Sequence, residues 1–319
     1  MSVVLFICKA LAYFLTHSLA ILTDALESIV NVVAGFIGVY SLHIAAKPKD
    51  IEHPYGHGKA EFLSAAAEGI MIVGAGALIF YEAIKNFIGN NPIQKLDSGL
   101  FLVAATAIVN YFAGTFCLKK GRQNNSLALQ ASGKHLQTDT YSTLAIIAGL
   151  ILMLATGLYW LDKAIALVMG LFIIYNGYTI VRSSVAGIMD EADMKLLKRM
   201  VDLLNTHRRV NWIDLHNLRV IKYGTRLHVD CHLTVPWYHN IHEAHREVDQ
   251  LSSVIQEEFG DVIELFVHTD GCLPISCPIC VKEECPVRQQ IFKERIPFTL
   301  KNLVSNEKHT VVHPISAGN

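Results

Sequence analysis

The sequence predicts a bundle of six membrane-spanning helices followed by an aqueous α+β domain of order α-β-β-α-β. Three observations carry this. Of 319 residues, 52% are hydrophobic and only 17% charged, with a mean hydropathy of +0.35, against about 25% charged in a soluble domain. The charge is also uneven: 22 of the first 189 residues are Asp, Glu, Lys or Arg, about 12%, against 33 of the last 130, about 25%. Finally, the first part contains uncharged stretches as long as the roughly 20 residues that cross a bilayer. This composition excludes a disordered chain, a basic nucleic-acid binder and an ordinary soluble enzyme. A net charge of -1 implies no bulk electrostatic partner.

The spans fall near residues 2–20, 23–46, 62–87, 99–118, 135–157 and 160–182. Segments 28–46, 98–118, 140–161 and 164–181 carry no charge, 62–81 carries only Glu68, and 2–20 only Lys9. The first span has neither the basic leader nor the small-residue cleavage site of a signal peptide, so it reads as a retained helix. Lys47, Lys49 and Lys59 follow the second span, and Lys119, Lys120, Arg122 and Lys134 the fourth. By the positive-inside rule those loops are cytosolic, and so are both termini and the C-terminal domain.

An ionisable group inside a span is a candidate functional site. The second span opens with Asp24, Glu27 and Asn31, and the fifth with His135 and Asp139. The i, i+3, i+7 and i, i+4 offsets each lie on one helical face. Singly, such residues read as helix-end groups touching water, and Asp24 fits a helix start. Two polar faces on two helices of one membrane protein instead point to an ion site. Carboxylates and imidazole from both helices are able to complete a tetrahedral zinc-type set. The loop between the second and third spans adds Asp50, His53 and His57, readable as a solvated turn or as a second metal site.

Residues 190–206 have a helical apolar period, 212–221 and 226–235 alternate like strands, 241–259 read as a helix ended by Gly260, and 262–268 as a short strand. Beyond them comes Cys272-x4-Cys277-x2-Cys280-x4-Cys285. In a reducing compartment, clustered cysteines read as metal-binding or redox-active rather than as structural disulfides. A four-thiolate knuckle and a reactive tail both stay open. Cys8, Cys117 and Cys231 read as small apolar core residues. Residues 287–319 carry no legible pattern.

The runs SLAILTDALES at 18–28, HPYGHGKAE at 53–61 and HLQTD at 135–139, with six spans and then a cytosolic domain, resemble the cation diffusion facilitator family over residues 1–270. The resemblance implies a homodimeric exporter of divalent transition metals, first of all Zn²⁺, in exchange for protons. It implies a transport domain at 1–188, a metallochaperone-like metal-binding and dimerisation domain at 189–270, and a tail at 271–319. It aligns Glu27, Asn31, His135 and Asp139 with the transport site. It assigns Asp50, His53 and His57 to a loop metal site, Lys59 and Asp190 to an ion pair, and His216, His232, His245, His268 and Asp270 to a cytosolic binuclear site. His228, His239 and His242 have no counterpart and read as surface residues or as residues supporting the ligands. Asn31 stands where relatives carry a carboxylate, which shifts preference toward harder ions such as Fe²⁺ or Mn²⁺, with Asp24 one turn away to compensate. The implied location is a bacterial plasma membrane. The alternatives are a membrane-anchored metal sensor that moves no ion and a membrane metalloenzyme; no HExxH or nucleophile–base pair supports the second.

Overall fold

The computed structural model describes residues 2–88, 96–123, 127–223, 226–260 and 263–311; the side chains at 87–88, 96–98, 121–122, 127–132 and 134–135 lie outside the described residues. The chain forms two compact units, one of Met1–His43 and Glu61–Val185, the other of Ile44–Ala60 and Ala186–Asn319.

The first unit holds α1 (Ser2–Thr16), α2 (Leu19–Ala45), α3 (Ala60–Ile88), α4 (Leu96–Gln123), α5 (Leu127–Thr156) and α6 (Trp160–Ile188). Five of these are long and apolar enough to cross a membrane; α1 is apolar but spans 15 residues. Large apolar side chains such as Phe14, Phe36, Phe101, Phe112 and Phe116 are exposed, as lipid-facing residues are.

The first break in the helices differs from the sequence expectation. It falls at His17 and Ser18 rather than beyond residue 20, and the cause is a cap from another helix. His17 takes a left-handed backbone (φ 54°). Asp162, in the first turn of α6, then accepts hydrogen bonds from Ser18 Oγ (2.5 Å), Leu19 N (2.9 Å) and Ala20 N (3.2 Å). The free amides of the α2 N-terminus are thereby satisfied in a buried setting.

Two apolar clusters meet on α2. Ala20 and Ile21 pack with Ala12, Val103, Ile146, Leu150 and Met153, while Leu19 packs with Ile79, Ala83, Ala166 and Ile173. α3 and α6 approach backbone to backbone: a Cβ on Gly76 would stand 3.0 Å from Gly170 O, and one on Gly177 would stand 2.9 Å from Gly69 O. Small residues at such crossings let helices associate where no hydrophobic drive exists between them.

The second unit comprises α7 (Met194–Thr206), β1 (Asp214–Tyr223), β2 (Arg226–Val235), α8 (Ile241–Phe259), β3 (Ile263–Gly271), a 3-10 turn at Pro274–Ile279 and a short α9 (Leu300–Leu303). The sheet order is β1-β2-β3, with β1 antiparallel and β3 parallel to β2. α8 makes the crossover the parallel pair requires, opening on an Asn240–Glu243 capping box and ending at Gly260, φ 79°. Asp193 caps α7 through Lys195 N and Leu196 N. Leu197, Met200, Leu204, Trp212, Leu215, Leu233, Leu251 and Ile255 form the core.

The tail, patternless in sequence, enters this core with Phe298 and Leu303. Arg208 holds it there, its guanidinium 3.8 Å from the Phe298 ring centroid and donating to Ile296 O and Ile213 O.

Replacing Asp162 with Ala removes the acceptor for three donors, one of them a side-chain hydroxyl. The expected loss is about 1–2 kcal/mol, read as a lowered melting temperature in detergent, with Asp162→Asn recovering part of it.

Candidate metal sites

In the membrane unit, Asn31 Nδ2 on α2 donates to Asp139 Oδ2 on α5 at 3.0 Å. α2 starts at Leu19 and α5 at Leu127. Asn31 and Asp139 therefore lie 12 residues into their helices, about 18 Å along each axis. As expected, Asp139 stays near the start of the apolar span of α5 (Leu136–Thr156), although the helix itself begins earlier; on α2, the span starts at Leu19 and Asn31 lies well inside it. Both residues line a cavity of about 310 Å³ together with Ser28, Glu68 and Asn110. Glu27 stands within electrostatic range of Asp139 and Asp24. The His135 side chain lies outside the described residues.

Asp24, expected to compensate for Asn31, is engaged through one oxygen, while its Oδ2 has no hydrogen-bond partner among the described residues. Its Oδ1 accepts from Lys9 Nζ at 2.8 Å and from Thr143 Oγ1 at 3.0 Å, all three residues buried. A buried ion pair neutralises its members, so Asp24 is matched by Lys9, and neither is among the residues lining the cavity. Sequence reasoning passed over Glu68 and Asn110. Glu68 was visible as the single charge of the third span. Asn110 Oδ1, buried with no hydrogen-bond partner among the described residues, was hidden because one neutral amide in a span carries no signal.

The loop set belongs to the second unit. Asp50 Oδ1 accepts from His53 N at 2.6 Å and meets His53 Nδ1 at 3.0 Å, while Oδ2 is 3.5 Å from His57 Nε2. One ligand atom from each of the three falls within 4.8 Å of the others. The His53 backbone bond holds the Asp50 carboxyl below its usual range. The same loop binds the domain: Lys49 pairs with Glu264, Tyr55 stacks on Tyr223 at 5.6 Å, and Lys59 Nζ sits 2.9 Å from Asp190 Oδ2 and 4.6 Å from the Tyr223 ring centroid.

The strand set is made by register. His216, His232 and His268 are direct cross-strand partners on β1, β2 and β3. Asp270 Oδ2 lies 3.9 Å from His216 Nε2 and 3.4 Å from His232 Nδ1, and its Oδ1 is 3.5 Å from His268 Nε2. His216, His232 and Asp270 are the tight triad; His268 is mostly exposed beside it. His245 stands apart. The buried side of α8 runs through Glu247, Leu251 and Ile255, so His245 points to solvent and pairs with Asp249 at 3.6 Å. The tail contributes two residues that sequence reasoning missed. Lys308 Nζ is 3.3 Å from Asp270 Oδ1, and His309 Nδ1 is 2.5 Å from Asp214 Oδ1. Burial raises the Asp214 carboxyl, but hydrogen bonds from His216 and His309 outweigh it and hold it well below the usual range. Cys272, Cys277, Cys280 and Cys285 line one small cavity.

Comparison with known proteins decides the family. The family model described as the cation efflux transmembrane domain matches residues 1–189. The chain belongs to the cation diffusion facilitator family. The model described as the cation efflux protein cytoplasmic domain matches residues 193–272. Relatives include the cation-efflux pump FieF of Salmonella paratyphi A, 28% identical over 283 residues covering 85% of this chain and 90% of the relative. The uncharacterized transporter sll1263 of Synechocystis sp. is 29% identical over 246 residues, 77% and 79% of the two chains. This facilitator is thus a multi-pass integral membrane transporter of the cation efflux type.

His228, expected at the surface or supporting a ligand, is buried, with Tyr55 and Tyr223 against its ring (5.3 and 4.9 Å) and Glu264 Oε2 3.3 Å from its Nδ1. Burial lowers its pKa from 6.5. A histidine held neutral adds stability above its unfolded pKa and loses it as pH falls below. Hydrogen exchange across residues 44–60, corrected for intrinsic rates, is expected to speed up as pH falls below 6.5. His228→Phe keeps the ring packing and flattens that dependence.

Proposed function

We propose that this facilitator exports a divalent transition metal, Zn²⁺ as the first expectation, in exchange for protons, by alternating access. The observation that supports this most is the Asn31–Asp139 contact across α2 and α5, inside a polar-lined cavity of the membrane unit. Glu27, Asn31, His135 and Asp139 would be the transport ligands. Asn31 now turns its amide nitrogen to the carboxylate; a half-turn of that amide presents its oxygen to a cation instead. Ligands must be deprotonated to hold a metal. Protons arriving at His135, Glu27 and Asp139 from the outer side therefore release the ion, and metal arriving from the cytosol displaces them. The helices need two arrangements, and the ion and the proton each shift the balance only by binding one of them better.

The remaining sets suit regulation on the cytosolic side. Asp50, His53 and His57 form the loop site, and His216, His232, His268 and Asp270 the strand site, with His245 exposed where a second copy of the chain is able to meet it. We read the assembly as a homodimer in a bacterial plasma membrane, with both termini cytosolic. The lysines flanking the second and fourth spans support that orientation, and the bacterial relatives support the setting.

In proteoliposomes under a pH gradient, the double variant His135→Ala/Asp139→Ala is expected to lose zinc flux. Retained flux would overturn the site assignment. Asn31→His replaces an oxygen donor with imidazole and is expected to move the Zn²⁺ over Mn²⁺ flux ratio upward by roughly tenfold, about 1.4 kcal/mol.

A further inference from the structure

Nothing in the transport reading uses the four cysteines of the tail. They lie on three separate pieces of backbone. Cys272 directly follows β3, and its amide donates to Val235 O at 2.8 Å. Cys277 and Cys280 bracket the end of the 3-10 turn, the Cys280 amide 3.3 Å from Cys277 O. Cys285 follows the turn by five residues. All four are free thiols, and all four line one cavity of about 20 Å³ with Pro236 and Tyr238. That volume holds about one water-sized atom.

We infer that Cys272, Cys277, Cys280 and Cys285 form a four-thiolate site for a tetrahedral, thiophilic divalent ion of the zinc class, which fastens the tail to the cytosolic domain.

The surroundings suit such an ion. Four thiolates and one dication leave two negative charges, and Lys282 and Arg288 line the same cavity. Arg288 also fixes the loop by donating to the carbonyls of Cys277 (3.1 Å), Cys280 (3.1 Å) and Lys282 (2.6 Å). Tyr238 lines the same cavity, and its buried hydroxyl has no hydrogen-bond partner among the described residues, a donor of the kind that stabilises bound thiolate. Among the described residues, the sets with ligand atoms mutually within 4.8 Å are the loop and strand triads. The cysteines are spaced more widely around their cavity, so the ion would draw them inward. A closed set of four thiolates is a structural rather than a catalytic or transported site.

Its place in the chain says what it would hold. Cys280 packs with Ile213 and Ile279. The amides of Lys293 and Glu294 return to Pro278 O at 2.8 and 3.2 Å. The chain then inserts Phe298 and Leu303 into the core and delivers Lys308 to Asp270 and His309 to Asp214. The knuckle is the clamp upstream of that path.

The test uses the purified full-length protein reduced and reconstituted with cobalt, read by elemental analysis and absorption. The wild type is expected to show a sulfur-to-cobalt charge-transfer band. Cys277→Ser/Cys280→Ser is expected to lose that band and one metal per chain. His232→Ala is expected to keep the band while losing metal elsewhere, which separates this site from the strand cluster. The His135→Ala/Asp139→Ala variant is likewise expected to keep the band, so failure of the transport reading leaves this result untouched. A thiol reagent on the unmutated protein guards against misfolding: four cysteines are expected to be protected when loaded and to react once a chelator is added. Equal thiol reactivity with and without chelator, or a cysteine variant with the wild-type band and metal content, would overturn the inference.

Discussion

Polar groups in hydrocarbon have no water to turn to, and the membrane unit is organised around satisfying those of one helix. α2 carries polar groups at three levels, and they are met by α6, by α1 with α5, and by α5 in turn. At its N-terminus the free amides and Ser18 are taken by Asp162 of α6. One turn in, Asp24 is neutralised by Lys9 of α1 and bonded by Thr143 of α5. Two turns further, Asn31 donates to Asp139 of α5. The first two levels pin the helix; the third is the one that faces a cavity. Leaving either partner of the buried Lys9–Asp24 pair alone costs several kcal/mol, and the other two contacts tie α6 and α5 to α2. Helix packing without a hydrophobic drive follows the same logic, with the glycines of α3 and α6 supplying close approach in place of burial.

In the aqueous unit the corresponding constraint is strand register. His216, His232 and His268 are distant in sequence yet adjacent across β1, β2 and β3, and Asp270 is carried to them two residues past His268. A one-residue slip would turn the row to the opposite face. The capping box of α8 and the turn at Gly260 fix where β3 begins, and thereby hold the site.

The six helices and the α-β-β-α-β order were legible because apolar length and period are strong signals, and they fall close to where the sequence puts them. The i, i+4 spacing of His135 and Asp139 and the offsets of Glu27 and Asn31 likewise marked α2 and α5. What was not legible depends on partners far away in sequence. The break at His17 exists because Asp162 reaches it from 145 residues away, and no local breaker announces it. Lys9 and Asp24 each look like a stray charge until they meet. Phe298 and Leu303 sit in a stretch with no period, so their burial is visible only once Arg208 and the sheet are in place. His245, aligned by resemblance with a ligand position, lies on the solvent side of the amphipathic α8 beside Asp249, a placement its spacing in sequence does not show.

The central claim is that the cation crosses at the α2–α5 contact. The direct measurement is anomalous scattering at the zinc edge from crystals of the zinc-soaked protein. The account predicts a peak within bonding distance of Asn31 and Asp139, on the wall of the cavity shared with Glu68 and Asn110. Peaks at the cytosolic cysteine and histidine sets with none at α2 and α5 under saturating zinc would contradict it.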